Sequence, residues 1–339
     1  MDMTDGRALA TEIEGREAGY LAEVLAESLP VETFGGTLPE AKPDSLRGVE
    51  VLMPFIHSRV GEEELAAMPD LRLVATRSTG FDHVDLAAAR ERGVAVANVP
   101  AYGENTVAEH TFALILALSR KVHQAYVRTQ RGDYTMEGLR GFDLYGKTIG
   151  IVGAGSIGLH AIRIAKGFGM NVLAFDVKQN QLLADVLGFA YVDLEELLSG
   201  SDIVSLHAPA IPATHHIINR ETLAKMKRGS LLINTARGSL VDTEALRWAL
   251  DEGILAGAGL DALEGEEFLQ HEDELLSQPG AEDKLRMIVR NQVLGRRADV
   301  VITPHIAFNS EEALRRILDV TAENVRAFLA GRPANLVPE

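Results

Sequence analysis

Apolar positions along the chain fall into short β-type runs separated by stretches in which apolar residues recur at three- and four-residue spacing. In the first hundred residues the runs are Val49 to Met53, Leu71 to Ala75 and Val94 to Val99. Helical stretches lie near Gly61 to Met68 and Asp85 to Arg92, and a turn is expected at Ser78, Thr79 and Gly80. Strand, helix, strand at this spacing predicts a parallel sheet covered by helices. From Thr106 to about Arg131, apolar Val107, Ala108, Phe112, Leu114, Ile115 and Leu118 keep helical spacing, which predicts one long helix.

The alternation restarts at Lys147 with a run over Thr148 to Val152, a glycine turn, a helix carrying Ile157, Ala161, Ile164, Ala165 and Phe168 on one face, and a run over Val172 to Phe175. Further strands are predicted at Ile203 to Leu206, Leu231 to Ile233, Ala256 to Leu260 and Val300 to Ile302, giving a second, larger parallel sheet. The last helix takes Asn309 or Ser310 as N-cap and aligns Leu314, Ile317, Leu318, Val325, Phe328 and Leu329, a face expected to pack back on the first domain. Residues 265–299 read differently: acidic and Gln-rich first, then a helical pattern through Leu285, Ile288, Val289 and Leu294, as an excursion on the surface. The fold class is α/β, with two doubly wound parallel-sheet domains.

Length agrees, since 339 residues at about 150 per domain suggest two domains. Charge narrows the partners: 33 basic against 49 acidic residues leave −16, which disfavours nucleic acid and anionic membrane surfaces. The chain contains no cysteine, so disulfides, thiolate metal sites and thiol nucleophiles are excluded, and a metal site would need His and carboxylates; none is assigned. The acidic N-terminus lacks the layout of a signal peptide and no uncharged apolar run approaches the length of a membrane span, so a soluble, cytoplasmic protein is expected.

Gly153-Ala154-Gly155-Ser156-Ile157-Gly158 follows an apolar strand and opens a helix, the context in which a GxGxxG pattern binds a dinucleotide. Gly153 permits the tight turn, Gly155 lets a pyrophosphate approach the backbone and Gly158 lets helix and strand pack, while the amides of Ser156 and Ile157 face the anion. Asp176 ends the next strand, 18 residues after Gly158, where its carboxylate would accept from both ribose hydroxyls and repel a 2′-phosphate. The cofactor is therefore read as NAD rather than NADP.

Ligands of open parallel sheets lie beyond the C-terminal strand ends, so polar residues there are the catalytic candidates. Arg237 follows one apolar run, where its guanidinium could hold a carboxylate by two parallel hydrogen bonds. His305 follows another and is suited to proton transfer near neutrality. Glu264, Glu266 and Glu267 follow Asp261, and one of them could pair with His305 and favour its protonated form; spacing alone does not choose among them.

Together GAGSIG, Asp176, INTARGSLVD (233–242), GAGLDALEGEE (257–267) and TPHIAF (303–308) resemble the D-2-hydroxyacid dehydrogenase family, D-lactate dehydrogenase-like branch. The resemblance implies a catalytic set of Arg237, Glu266 and His305, the glutamate being the one five residues after Asp261. Two departures stand out: Glu267 occupies the place of the family's usual proline, and the 265–299 stretch is longer than in many members. The resemblance further implies a flavodoxin-like substrate domain from 1–103 plus 304–339, an NAD-binding Rossmann domain from 104–303, and an active-site cleft between them. Asp261 would receive the nicotinamide carboxamide, with Thr235 and Ala236 nearby and His207 and Pro209 along the cofactor's path. Ser78, Thr79, Gly80, Tyr102, Arg237 and Phe308 would bind the substrate, a small pyruvate-like 2-keto acid reduced to the D-2-hydroxy acid with His305 as proton donor. A homodimer built on the helix from Thr106 is implied as well. Hydroxypyruvate or glyoxylate reduction is the alternative chemistry; a non-catalytic, NAD-sensing corepressor-like protein is the alternative class, which would have no need of a proton donor.

Overall fold

The computed structural model describes residues 6–266 and 280–338. The chain divides into two compact units, one made of Met1–Gly103 with Asn309–Glu339 and the other of Glu104–Phe308.

The first unit holds a parallel sheet of β1 (Arg7–Thr11), β2 (Val31–Phe34), β3 (Val49–Met53), β4 (Leu73–Ala75) and β5 (Ala95–Ala97) in the order β2-β1-β3-β4-β5. Successive residues of each strand feed opposite faces, as a sheet covered on both sides requires. Ala8, Ala10, Val51, Met53, Leu73 and Ala75 pack on one face with Leu318, Ala322 and Val325 of the helix Glu311–Leu329, while Leu9, Leu52 and Val74 pack on the other. The terminal helix thus completes the first unit, and the Ser310 side chain caps it by accepting from the Ala313 amide. The periodic pattern did not announce β1 or β2. β1 reads Arg-Ala-Leu-Ala-Thr, largely alanine with polar ends, and β2 reads Val-Glu-Thr-Phe with two polar positions, so neither forms an unbroken apolar run, yet β1 pairs on both sides, with β2 and β3.

The second unit holds β6 (Thr148–Val152), β7 (Asn171–Phe175), β8 (Ala190–Tyr191), β9 (Ile203–Leu206), β10 (Ser230–Asn234), β11 (Leu255–Leu260) and β12 (Val300–Ile302), all parallel, in the order β12-β11-β10-β9-β6-β7-β8. The chain direction across the sheet reverses between β6 and β9, which is where an open parallel sheet opens a crevice for a ligand. Val152 pairs with both Phe175 and Leu206, so the loops after β6, β7 and β9 leave the sheet side by side.

Two expectations change here. The segment from Thr106 is not one helix but two, Glu104–Ser119 and Val122–Gln130, broken at Lys121, whose φ is +52°. The break has a packing cause: the Phe142 amide donates to the Ser119 carbonyl at 2.9 Å, and Gly141 lies so close that a β-carbon there would be 2.1 Å from that oxygen. In the 265–299 stretch, residues 267–279, Glu267 among them, lie outside the described residues. Farther along this stretch, the helix Glu282–Gly295 buries Ile288, Asn291 and Leu294 but leaves Val289 exposed.

Candidate active site

At the switch point, Gly153 has φ +98°, and a β-carbon on it would lie 2.7 Å from the carbonyl carbon of His207, which leads out of β9. At Gly158 a β-carbon would meet the Gly153 carbonyl oxygen at 2.1 Å, so the helix Ser156–Gly167 can start against its strand only with glycine there. At Gly155 a β-carbon meets nothing within 4 Å; that side faces open space. Two of the three glycines are explained by protein packing; the third, Gly155, is the N-cap of the helix and leaves its side of the backbone open to an approaching group. Asp176 is held ready beside them: one carboxylate oxygen accepts from the Ala154 amide at 2.7 Å and the other from the Lys178 amide at 2.8 Å. Each oxygen keeps lone pairs for further donors such as ribose hydroxyls. Open glycine backbone, a helix start and a poised carboxylate fit a dinucleotide with an unphosphorylated ribose. His207, beside the glycine turn with its Nε2 2.9 Å from the Ser205 hydroxyl, has its pKa lowered to about 4 by burial and is a neutral wall of this region. Pro209 is exposed and its carbonyl accepts from the Thr214 hydroxyl at 2.6 Å.

The other candidates leave the ends of three neighbouring strands, β10, β11 and β12, and adjacency in the sheet is what gathers them. After β10, the buried Asn234 shapes the turn that carries Arg237: its side-chain oxygen accepts from the Ala236 amide at 3.1 Å and its amide nitrogen donates to the Arg237 carbonyl at 2.9 Å. The Asn234 main-chain oxygen also accepts from the Asp261 amide at 2.8 Å, tying the turn to β11. Thr235 is buried and pairs with Thr111 through their hydroxyls at 2.9 Å. The Arg237 guanidinium donates to the Ala236 carbonyl at 2.8 Å.

Asp261 follows directly on β11 and is almost fully enclosed. Its side chain is 1% exposed, and the carboxylate accepts from the Ile306 amide at 2.9 Å, the Ala307 amide at 2.8 Å and the Thr303 hydroxyl, with His110 Nε2 at 3.4 Å. Burial pushes this carboxyl up, but the bonds from His110, Thr303, Ala307 and Ile306 outweigh it and hold its pKa below the ordinary aspartate value. These bonds tie the 303–307 loop to the end of β11. They also explain why Pro304 to Phe308 belong with the second unit, although the domain boundary expected from sequence fell at 304.

The clamped loop bears His305 in a left-handed conformation, φ +52°, which a non-glycine residue holds only when its surroundings impose it, at a cost of about 1–3 kcal/mol. Here the His305 amide donates to the Asp261 and Thr303 carbonyls, both at 2.9 Å. The conformation aims the ring at Glu266: Nδ1 donates to Oε1 at 2.7 Å. Glu266 is fixed in turn, because its Oε2 accepts from the Leu263 amide at 3.0 Å. His305 Nε2 has no hydrogen-bond partner among the described residues, and its side chain is 22% exposed. Of the glutamates left open by sequence spacing, the structure pairs Glu266 with His305 and turns Glu264 toward His216, with the His216 ring nitrogen 2.6 Å from Glu264.

Residues 112–307, more than half of the chain, match the family described as D-isomer specific 2-hydroxyacid dehydrogenase, NAD binding domain. The chain belongs to the D-2-hydroxyacid dehydrogenase family. It is 40% identical over 308 residues to a 2-hydroxyacid dehydrogenase homolog of Haemophilus influenzae, covering 89% of each chain. It is 38% identical over 301 residues to the D-lactate dehydrogenase of Escherichia coli, covering 87% of this chain and 88% of that one. Among solved structures, the D-lactate dehydrogenase of Aquifex aeolicus complexed with NAD and lactic acid superposes with a TM-score of 0.86 at 36% identity, covering 96% of both chains. The dehydrogenase is thus an NAD-dependent oxidoreductase with a family-typical pair of parallel-sheet domains.

In the first unit, the turn after β4 is braced from within. Ser78 Oγ donates to the Gly80 carbonyl at 2.6 Å, Thr79 Oγ1 donates to the Val99 carbonyl at 2.7 Å, and Asn98 donates to the Thr79 carbonyl at 2.7 Å. No acceptor among the described residues takes the amides of Thr79 and Gly80. Tyr102 is part-exposed, its carbonyl accepting from Arg316. Phe308 is part-buried at the end of the second unit. Sequence reasoning missed Asn234, His110 and Thr303; Asn234 in Ile-Asn-Thr-Ala-Arg-Gly was the one with a readable signal, an amide side chain at a strand end just before a turn. Among the described residues, no helix is long and apolar enough to cross a membrane.

Proposed function

We propose that this dehydrogenase reduces a small pyruvate-like 2-keto acid to the D-2-hydroxy acid, with His305 as proton donor, Glu266 as its orienting partner and Arg237 as the substrate clamp. The observation that carries the reading is the His305 to Glu266 bond at 2.7 Å, which occupies Nδ1 and leaves Nε2 turned to whatever enters. A histidine fixed by a carboxylate through one nitrogen is equipped to exchange a proton through the other. NAD(H), held at Gly153, Gly155, Ser156, Ile157, Gly158 and Asp176, supplies or takes up the hydride when bound. The Arg237 guanidinium pairs with the substrate carboxylate through two parallel hydrogen bonds, which orients the C2 carbonyl and draws electron density toward its oxygen. His305 Nε2 gives its proton to that oxygen as charge develops there, and the Glu266 carboxylate fixes the tautomer and direction of the neutral ring that remains. In the oxidising direction the same nitrogen removes the hydroxyl proton.

From the first unit, Ser78, Thr79, Gly80 and Tyr102 are proposed as contacts to the acid, supported by the uncommitted amides of Thr79 and Gly80; Phe308 is proposed to limit the pocket to small side chains. The similarity to two D-lactate dehydrogenases supports pyruvate as the substrate. His305→Ala should lower kcat about 100-fold or more while leaving NADH affinity unchanged. Near-normal turnover in a folded variant would refute the assignment. A panel of pyruvate, 2-ketobutyrate, hydroxypyruvate and glyoxylate, followed by NADH absorbance, should give the highest kcat/KM with pyruvate and a D product; a clear preference for glyoxylate or hydroxypyruvate overturns the substrate, and no turnover of any acid overturns the enzyme reading. We propose a homodimer as well, supported by Val122, Tyr126 and Val127, which are 55%, 64% and 46% exposed on a helix that buries none of its residues.

A further inference from the structure

A second histidine–carboxylate cluster lies outside the groups used above. His215, His216 and Glu264 each offer a ligand atom, and these atoms all lie within 4.8 Å of one another. His216 Nε2 is 2.6 Å from Glu264 Oε1, and the two imidazole rings have centroids 4.0 Å apart. Consecutive side chains of an extended segment point to opposite sides. Here His216 has φ +50°, a left-handed conformation that a residue with a β-carbon rarely adopts, and both rings lie beside the same carboxylate.

Two of the three ligands are held firmly. The His216 amide donates to the Ser239 carbonyl at 2.9 Å and its carbonyl accepts from the Asn219 side chain at 3.0 Å. The Glu264 carbonyl accepts from the Asn291 side chain at 2.8 Å, and its second carboxylate oxygen accepts from the Thr243 hydroxyl at 3.2 Å. The backbone at Leu263 and Glu264 also lies against Gly238 so closely that a β-carbon on the glycine would come within 2.1 Å of it. His215 is exposed and can turn its ring without moving the chain.

We propose that His215, His216 and Glu264 form a binding site for a divalent transition-metal ion of the zinc class. Two imidazoles and one carboxylate are a nitrogen and oxygen set suited to zinc, nickel or copper(II), whereas magnesium and calcium ask for oxygen ligands throughout. On binding, His216 Nε2 gives up the proton shared with Glu264, the exposed His215 swings in, and water completes a four-coordinate shell. The Thr243 hydroxyl then steadies the ligating carboxylate from behind, the usual arrangement around metal ligands. The ion would tie the segment after β9 to the segment after β11, both within the second unit. The proposal is independent of the choice of substrate and of His305.

Untagged protein, stripped with a chelator, is titrated with ZnCl2 by calorimetry, and its Tm is followed with and without zinc. The wild type should bind one ion per chain and gain in Tm. His215→Gln and His216→Gln should each weaken binding about tenfold or more and lose the gain in Tm, with His215→Gln leaving fold and dehydrogenase activity intact because its side chain is exposed. Absence of binding at millimolar zinc overturns the proposal. So does zinc affinity unchanged in both variants, since the ion would then sit at other surface histidines.

Discussion

Gly155 and Gly158 belong to one turn, yet a methyl group at each should act on different quantities. At Gly158 the new β-carbon would lie 2.1 Å from the Gly153 carbonyl oxygen, against an ordinary contact of about 3.4 Å or more, so the helix Ser156–Gly167 must shift away from β6. The neighbour is backbone and cannot rotate aside, which places the cost at the upper end of overpacking, about 3 kcal/mol. For a unit the size of Glu104–Phe308 that is a Tm loss of roughly 6–12 °C. At Gly155 the β-carbon meets nothing, and φ −73° with ψ −165° suits alanine. Alanine is the weaker N-cap by about 0.5–1 kcal/mol but loses less chain entropy on folding by about 0.4–1 kcal/mol, so the two nearly cancel. Gly155→Ala does remove the open approach to the backbone, and a loss of about 1.4–3 kcal/mol there would weaken NADH binding about 10- to 100-fold. Scanning calorimetry of the apo proteins and NADH fluorescence titration separate the two effects. A destabilised Gly155→Ala that keeps its NADH affinity, or a Gly158→Ala that melts with the wild type, would refute this division of roles between the two glycines.

The same geometry sets four further expected outcomes. Below the ordinary histidine value of 6.5 the unfolded chain takes up a proton at position 207 that the folded chain refuses until about 4, so stability is lost as pH falls through that window, by roughly 3 kcal/mol; His207→Gln should flatten this part of the urea-midpoint profile, and an unchanged slope would contradict the burial argument. Asp261→Asn places an NH2 group against one of the Ile306, Ala307 or Thr303 donors, which should cost about 1–3 kcal/mol by urea unfolding. Arg77 is buried, with its pKa lowered to about 10 chiefly by desolvation, and donates to the carbonyls of Thr11, Glu12 and Met53 across the strand ends of the first sheet. Arg77→Met should strand these acceptors and cost about 3 kcal/mol or more in the same assay. Light scattering should report a dimer, and Tyr126→Glu with Val127→Glu should yield monomers.

Much of the second unit was legible because its strands are buried on both faces and therefore read as unbroken apolar runs; β6, β9 and β12 begin and end at the residues expected from those runs. The glycine turn was legible for a different reason, since no other residue type survives at 153 or 158 against neighbours at 2.7 and 2.1 Å. β1 and β2 carried no such signal: their alanines and polar residues gain strand character only from the partners beside them. The break at Lys121 was hidden because it depends on Gly141 and Phe142, which return to Ser119 from farther along the chain.

Local side-chain chemistry was enough to determine the kind of fold, the dinucleotide turn, and Arg237 and His305 as groups placed at strand ends. Residue chemistry alone left three glutamates open for His305 and the family resemblance pointed to Glu266; the actual pairing of Glu266 with His305, and the burial of Asp261 among donors from the 303–307 loop, are properties of the tertiary structure. A carboxylate's role depends on which donors surround it, and the donors here, Leu263, Thr303, Ile306, Ala307 and His110, reach Glu266 and Asp261 through turns whose direction no residue spacing encodes.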